Sequence, residues 1–112
     1  GEAQVFNFCY AMELASDARS LRELLTIFIS ETEMRIVQIR DAYDDGDFRQ
    51  VARIAHGVKG SAATVGAELM RDTAYCIEEN AVSMSPGHLL VTIETLESEF
   101  GRFSAVTRDF VS

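Results

Sequence analysis

A histidine and a lysine stand three residues apart in the stretch VARIAHGVKGSAATVGA, residues 51–67. On a helix this spacing brings the ammonium group of Lys59 within side-chain reach of the imidazole of His56. A neutral imidazole is a nucleophile near pH 7, and a phosphoryl group on it would add about two negative charges. At an exposed site one compensating charge contributes about 1 kcal/mol. Lys59 would therefore tune a phosphorylated His56 and not create it.

The residues around His56 on the same helix face are small. Ala52, Gly60 and Ala63 lie one turn before it and one or two turns after it, and Gly57 is adjacent. A glycine inside a helix costs about 1 kcal/mol relative to alanine, so both glycines need an explanation other than helix formation. Small side chains let the surface of another protein approach closely. We therefore predict a partner-docking patch formed by Ala52, Gly57, Gly60 and Ala63.

Hydrophobic spacing predicts that helices position these residues, because apolar residues recur at three- and four-residue steps and no segment alternates with period two. A short helix over 6–14 precedes a long one, a central helix carries His56, a fourth covers 67–82, and a final helix follows. Capping and helix-ending residues mark the boundaries: Ser16 or Asp17 before the long helix, Gly46 and Asp47 after it, Gly66 after the central helix, and Ser85 with Pro86 before the last.

The apolar stripes predict the core. The members that we expect to be buried are Leu21, Leu24, Leu25, Phe28, Ile36, Ile39, Tyr43, Phe48, Val51, Ala55, Val58, Ala62, Val65, Met70, Thr73, Ile77, Ala81, Leu89, Ile93, Leu96, Phe100, Phe103 and Phe110, with Met34 and Met84 as further core positions. Four long amphipathic helices joined by short turns pack most simply as an up-down bundle. The predicted fold is all-α: an antiparallel four-helix bundle with a short N-terminal capping helix, a single domain over residues 1–112.

Composition limits the partners. The formal net charge of -8 and pI near 4.6 argue against nucleic acid and anionic lipid, since phosphate backbones are bound mainly through clustered Lys and Arg. We expect protein partners and no direct membrane contact, because the sequence has no apolar run of about 18 residues and no signal peptide. Only Cys9 and Cys76 are present, which predicts reduced thiols, buried as small hydrophobes, in a cytoplasmic protein or in the cytoplasmic domain of a membrane-anchored kinase. We expect a monomer.

The segment AHGVKGSAATVGA resembles the signature of histidine-containing phosphotransfer (HPt) domains, in which His-x-x-Lys-Gly-Ser-Ala precedes a small Gly-Ala turn. LRELLTIF at 21–28, DDGD at 44–47 and CIEE at 76–79 fall where that family has similar features, so the resemblance covers most of the chain. It implies that His56 accepts the phosphoryl group, that Lys59 offsets its charge, and that Gly60 leaves room for a receiver domain.

The sequence departs from the family pattern beside the histidine, where Gly57 replaces a common Thr or Ser and Val58 replaces a common Leu. Gly57 removes a hydroxyl, which bears on partner preference more than on phosphoryl acceptance. Glu78 stands where the family often has Gln or Glu bonded to the second imidazole nitrogen; the alternative is a solvated helix carboxylate. His88 lies near a helix start, has no matching surroundings, and is assigned to the surface.

The function that the resemblance implies is that of a phosphocarrier in a two-component phosphorelay. His56 would exchange a phosphoryl group with the aspartate of receiver domains, or receive it from a sensor histidine kinase as in chemotaxis-type kinases. The sequence has no glycine-rich phosphate loop, so we expect no enzyme activity, no ATP or metal site and no cofactor; magnesium would come with the receiver.

Two other functions are alternatives to a phosphocarrier for a helical bundle of this kind. A di-metal bundle uses Glu-x-x-His on two helices, but Arg53 and Ser85 stand three residues before the two histidines. A bundle that binds a partner without phosphorylation is the second alternative, and an intact His56 with Lys59 argues against it. The leading Gly1 and the abrupt C-terminus fit a domain excised from a hybrid sensor histidine kinase, with a free protein as the other possibility.

Overall fold

The structure is a computed structural model that describes residues 4–15 and 17–111, and α-helices make up most of this part of the chain. Their bounds are α1 (Phe8–Ala15), α2 (Ala18–Asp44), α3 (Phe48–Val65), α4 (Glu68–Asn80) and α5 (Pro86–Val111). No β-strand occurs among the described residues. The predicted all-α fold is confirmed, with α2 to α5 as the bundle and α1 at one end. No described helix is long and apolar enough to cross a lipid bilayer.

Short, capped turns join the long helices. Asp17 begins α2 by accepting a hydrogen bond from the Ser20 backbone N–H at 2.8 Å, whereas Ser16, the alternative cap, lies outside the described residues. Gly46 and Gly66 have φ angles of 73° and 78°, a left-handed conformation that side chains with a Cβ disfavour. Each glycine therefore ends a helix and lets the chain reverse direction at once.

The four long helices form a square in which α3 packs against α2 and α4, and α5 packs against the same two helices from the other side. Helices α3 and α5 are therefore diagonal, and their backbones do not approach each other closely. The core between them contains fully buried residues from every long helix: Leu21, Leu25, Ile39, Val51, Val58, Val65, Met70, Ile77, Leu89, Ile93, Leu96 and Phe103. The predicted apolar stripes are confirmed at these positions.

Several predicted core positions are less buried than expected. The half-buried members are Leu24, Ile36, Tyr43, Phe48, Thr73, Met84, Phe100 and Phe110. Met34 is 62% exposed, because it follows the buried Thr32 by two residues, which is more than half a turn of helix. Cys76 is also exposed, so the prediction of a buried thiol is wrong there. The side chain of Cys9 lies outside the described residues.

The N-terminal segment closes the end of the bundle at the α3–α4 turn. The backbone N–H of Asn7 donates to the Gly66 carbonyl at 2.8 Å, and that of Leu69 donates to the Gln4 carbonyl at 3.0 Å. The Phe6 ring packs edge-on against Phe103, with centroids 5.6 Å apart. Two boundaries differ from prediction. Helix α1 begins two residues later than predicted, at Phe8. Helix α4 is shorter than predicted because Ala67 is its N-cap, Ala81 is its C-cap, and Val82 belongs to the following turn.

Candidate functional site

Helix α3 presents His56 on the side opposite its buried stripe. Every buried α3 residue faces the core at three- or four-residue steps: Val51, Ala55, Val58, Ala62 and Val65. The His56 side chain points away from this stripe and is 67% exposed. Because α3 is held by the core on one side, the imidazole is fixed in position and still open to solvent on the other.

A carboxylate from the neighbouring helix joins the histidine to the lysine. Helix α4 runs back along α3 and places Glu78, 22 residues after His56, beside the imidazole. Glu78 Oε1 is hydrogen-bonded to His56 Nδ1, and Glu78 Oε2 accepts from Lys59 Nζ at 2.6 Å. The Glu78 and Lys59 side chains are only 20% and 29% exposed. The structure thus brings the three residues into one hydrogen-bonded group, and the Glu78 carboxylate is not simply solvated.

The charges in this group decide which imidazole nitrogen is free. The hydrogen bond from Lys59 lowers the pKa of the Glu78 carboxyl against the opposing effect of burial, and the bond with His56 lowers it further. Glu78 is therefore ionised at neutral pH, and an ionised carboxylate can only accept. His56 Nδ1 must then be the donor. In the neutral ring this leaves Nε2 without a proton and with its lone pair available.

Lys59 is held on the α4 side of the histidine by a second contact. Its Nζ lies 5.3 Å from the centroid of the Tyr75 ring, within the range of a cation–π interaction. Beside it, Gly60 and Ala63 line an open depression with Tyr75 and Arg71. No atom lies within 4 Å of the place where a Gly60 Cβ would be. This part of the predicted small-residue patch is open to an approaching surface.

Gly57 lies in different surroundings. A Cβ at this position would lie 3.5 Å from Nε of Arg35, a residue of α2. The Arg35 guanidinium crosses α3 here, since its Nη1 donates to Ser61 Oγ at 2.7 Å and to the Gly57 carbonyl at 3.4 Å. A side chain at position 57 would thus lie next to the Arg35 guanidinium. Sequence reasoning missed Arg35. The unusual glycine beside His56 marks the position, but the sequence does not show which α2 side chain lies next to it.

The remaining predicted residues lie apart from this group. Ala52 is half-buried against the core. His88 is exposed in the first turn of α5, where its backbone N–H donates to Ser85 Oγ at 3.2 Å. In residues 4–15 and 17–111, no three His, Cys, Asp or Glu side chains are grouped so that they could hold a metal ion.

A family model described as the Hpt domain matches residues 23–105. The chain belongs to the Hpt domain family. It is thus a histidine phosphotransfer module of phosphorelays, a phosphocarrier whose partners are receiver domains. The matched range contains His56, Lys59 and Glu78 and leaves out α1, so the capping helix lies outside the part that the family model describes.

The Hpt domain also has a structural relative. The crystal structure of histidine-containing phosphotransfer protein B (HptB) from Pseudomonas aeruginosa PAO1 matches with a TM-score of 0.87 and 23% identity. The match covers 96% of this chain and 95% of that chain. At this identity the likeness concerns the fold alone, and it extends over nearly the whole chain. No curated protein matches.

Proposed function

We propose that His56 is the phosphoacceptor of this Hpt domain and that it reacts through Nε2. The observation that carries the proposal is the hydrogen bond between His56 Nδ1 and the ionised Glu78 carboxylate. That bond fixes the proton on Nδ1 and directs the Nε2 lone pair away from α4. With the side chain 67% exposed, a receiver can bring its aspartyl phosphate to this atom.

In the transfer step the Nε2 lone pair attacks the phosphorus of the aspartyl phosphate. An N–P bond forms, the bond between phosphorus and the aspartate oxygen breaks, and the carboxylate leaves with the electron pair. The proton stays on Nδ1, so the ring becomes positively charged, and Glu78 lies against that charge. Because the ring charge and the Glu78 charge attract each other most strongly after attack, this contact favours the product more than the free histidine. The same step in reverse loads the next receiver.

Lys59 and the small residues have supporting roles in this proposal. The Lys59 ammonium, bonded to Glu78 Oε2, keeps a positive charge on the face where the phosphoryl group arrives. We assign Ala52, Gly60 and Ala63 to the docking patch, with Gly57 as its edge beside Arg35. The open space at Gly60 and the fixed position of Lys59 support these assignments.

The remaining groups of the reaction are assigned to the receiver in this proposal. We propose that the magnesium ion and the reactive aspartate belong to the receiver, and that this chain works without a cofactor as one cytoplasmic, monomeric domain over residues 1–112. A sensor histidine kinase, as in chemotaxis-type kinases, is a second source of the phosphoryl group. A place in the C-terminal part of a hybrid sensor histidine kinase is a separate proposal about the surrounding protein. Both sources load the same atom of His56.

The experiment that tests the proposal is phosphoryl transfer from a panel of receiver domains that carry a radiolabelled aspartyl phosphate. We expect the wild-type domain to gain a label that is labile in acid and stable in base, as expected of a phosphohistidine. His56→Gln should gain none. His88→Gln, which alters the exposed histidine of α5, should be labelled like the wild type.

Label that survives His56→Gln overturns the assignment of the phosphoacceptor. If no receiver and no kinase ATP-binding domain labels the wild type, while one of them binds it, the domain is an interaction bundle without phosphorylation. Circular dichroism of each variant checks that the helices are intact, which we expect because both histidines are exposed.

A further inference from the structure

The charges of this acidic protein are distributed unevenly, and the histidine helix differs from the rest. Helix α3 contains Arg49, Arg53 and Lys59, three of the ten basic residues, and none of the 18 acidic ones. The chain as a whole has a net charge of -8. Helix α3 is therefore a basic strip on a negatively charged molecule.

Two of these cations share the exposed face of His56. Arg53 precedes the histidine by three residues and Arg49 precedes it by seven, which is about one and two turns of helix. The side chains therefore lie on one face, about 5 and 10 Å from His56 along the helix axis. Both arginines are exposed. At physiological ionic strength the screening length is about 8 Å, so Arg53 lies within this distance of the imidazole and Arg49 lies just beyond it.

A third cation lies on the α2 edge of the same face. Arg35 is held across Gly57 by its bonds to Ser61 Oγ and the Gly57 carbonyl. A side chain with a γ atom at position 57 would compete for that space, because even a Cβ would lie within 3.6 Å of the guanidinium carbon. Gly57 thus admits a guanidinium group beside the histidine. We call Arg35, Arg49 and Arg53 the basic rim.

The basic rim has no carboxylate partner within the described ranges. Arg19, Arg40 and Arg71 each form an ion pair with Asp or Glu. Among residues 4–15 and 17–111, by contrast, the rim arginines bond only neutral groups or none: Arg53 donates to Gln50 Oε1 at 2.9 Å, and Arg35 to Ser61 and Gly57.

The position of Arg49 is unfavourable for the helix itself. It is the second residue of α3, and a positive charge in the first turn opposes the helix dipole at a cost of about 0.3–1 kcal/mol. Arg49 thus destabilises its own helix and pairs with no described carboxylate. We therefore expect its role to lie in contacts with another molecule. The rim is too small to hold a nucleic acid against a net charge of -8, because such binding needs many phosphate contacts.

We propose that the basic rim docks an acidic surface of the receiver domain and so speeds the encounter of the two proteins. The inference rests on the proposed function, since it takes the receiver as the partner that meets His56. A receiver that carries its aspartate and bound magnesium among further carboxylates would be repelled by the rest of this chain. Among the described helices, α3 is the one with basic residues and no acidic ones, so approach along it brings complementary charges together, and such charges act mainly on the association rate.

The test compares two double variants with equal changes in charge. Arg49→Glu/Arg53→Glu replaces two positive charges of the rim with negative charges. Arg19→Glu/Arg102→Glu does the same at the start of α2 and on α5, which is diagonal to α3. The donor is the receiver domain that labels the wild type fastest after phosphorylation of its aspartate with acetyl phosphate. Phosphoramidate, a small donor that needs no docking surface, measures the reactivity of His56 itself.

We expect the rim variant to lower the second-order rate of transfer about tenfold or more at low salt. The loss should shrink in about 0.5 M salt, where charges are screened. The control variant should stay within about twofold of the wild type, and phosphoramidate should label all three proteins equally. Equal rates for the rim variant and the wild type, an equal loss in the control, or a loss that salt does not reduce would each overturn the inference. Failure of both donors to label His56 would instead overturn the proposed function.

Discussion

At the scale of single residues, one carboxylate organises the site. Glu78 contacts His56 with one oxygen and Lys59 with the other, so it fixes the imidazole tautomer and anchors the lysine at the same time. The grouping of His56 with Lys59 and the small residues could be predicted from the sequence because these residues lie on one helix with regular spacing. The double contact of Glu78 could not, because it depends on how α4 is aligned with α3.

The titration of Glu78 gives a test of this contact. Its pKa is lowered in the folded protein, first by the bond from Lys59, so the ionised carboxylate stabilises the fold above the unfolded pKa of about 4.3. That contribution decreases once the pH falls below this value and is lost as the pH falls through the lower pKa of the folded protein. We therefore expect Glu78→Gln to be less stable than the wild type near pH 7 and to lose less stability on acidification.

Urea unfolding at about pH 7, 5 and 3.5 measures the effect of Glu78→Gln across the pH range in which the carboxyl titrates. Glu79→Gln is the matched control, since Glu79 is the next residue of α4 and is exposed. We expect it to follow the wild-type pH dependence. Parallel curves for Glu78→Gln and the wild type would contradict the assigned contact.

At the scale of helices, two glycines make α3 intrinsically less stable, and one of them leaves open space beside His56. Helix α3 contains Gly57 and Gly60 in its interior, and each costs about 1 kcal/mol relative to alanine. The structure separates the two: Gly60 faces open space, whereas Gly57 faces Arg35. Sequence reasoning grouped both as one small-residue patch, because a position on a helix does not reveal which neighbouring side chain crosses it.

Alanine at each glycine should therefore have different effects. We expect Gly60→Ala to raise the free energy of unfolding by about 1 kcal/mol, because nothing lies near the new Cβ. It should also slow transfer from a phosphorylated receiver about tenfold, since a methyl group in a close-packed interface costs about 1 kcal/mol or more. Gly57→Ala should gain similar stability, as its Cβ would meet Arg35 at an ordinary contact distance, and should keep a transfer rate close to the wild type.

Chemical denaturation and transfer kinetics on the same preparations check these expectations. Phosphoramidate labelling separates docking from chemistry here as well, and both variants should react with it like the wild type. A Gly60→Ala domain that transfers at the wild-type rate would show that Gly60 is not part of the docking surface. Equal slowing in both variants would place Gly57 in the docking surface too.

At the scale of the whole molecule, the contacts that close one end of the bundle lie away from the histidine. The N-terminal segment closes the end of the bundle at Gly66, about 15 Å along α3 from the histidine. The bundle itself could be predicted because four apolar stripes and short turns permit few other arrangements. The hydrogen bonds of the N-terminal segment to the α3–α4 turn could not, since they join backbone atoms far apart in sequence that carry no pattern.

The square arrangement of helices also decides where partners can dock. Because α3 and α5 are diagonal, the face of His56 is formed by α3 with its neighbours α2 and α4, and α5 lies behind. The cations Arg35 and Lys59 thus come to the two edges of one face, the first from α2 and the second held against α4 by Glu78. Sequence spacing along α3 alone predicts only the second.

The most direct test of the account identifies the nitrogen that carries the phosphoryl group. The domain, labelled with ¹⁵N in its histidines, is phosphorylated by its receiver and studied by NMR for coupling between ³¹P and the imidazole nitrogens. We expect phosphorus on Nε2 of His56, with Nδ1 still protonated against Glu78. Phosphorus on Nδ1 of His56, or on any other residue, would contradict it.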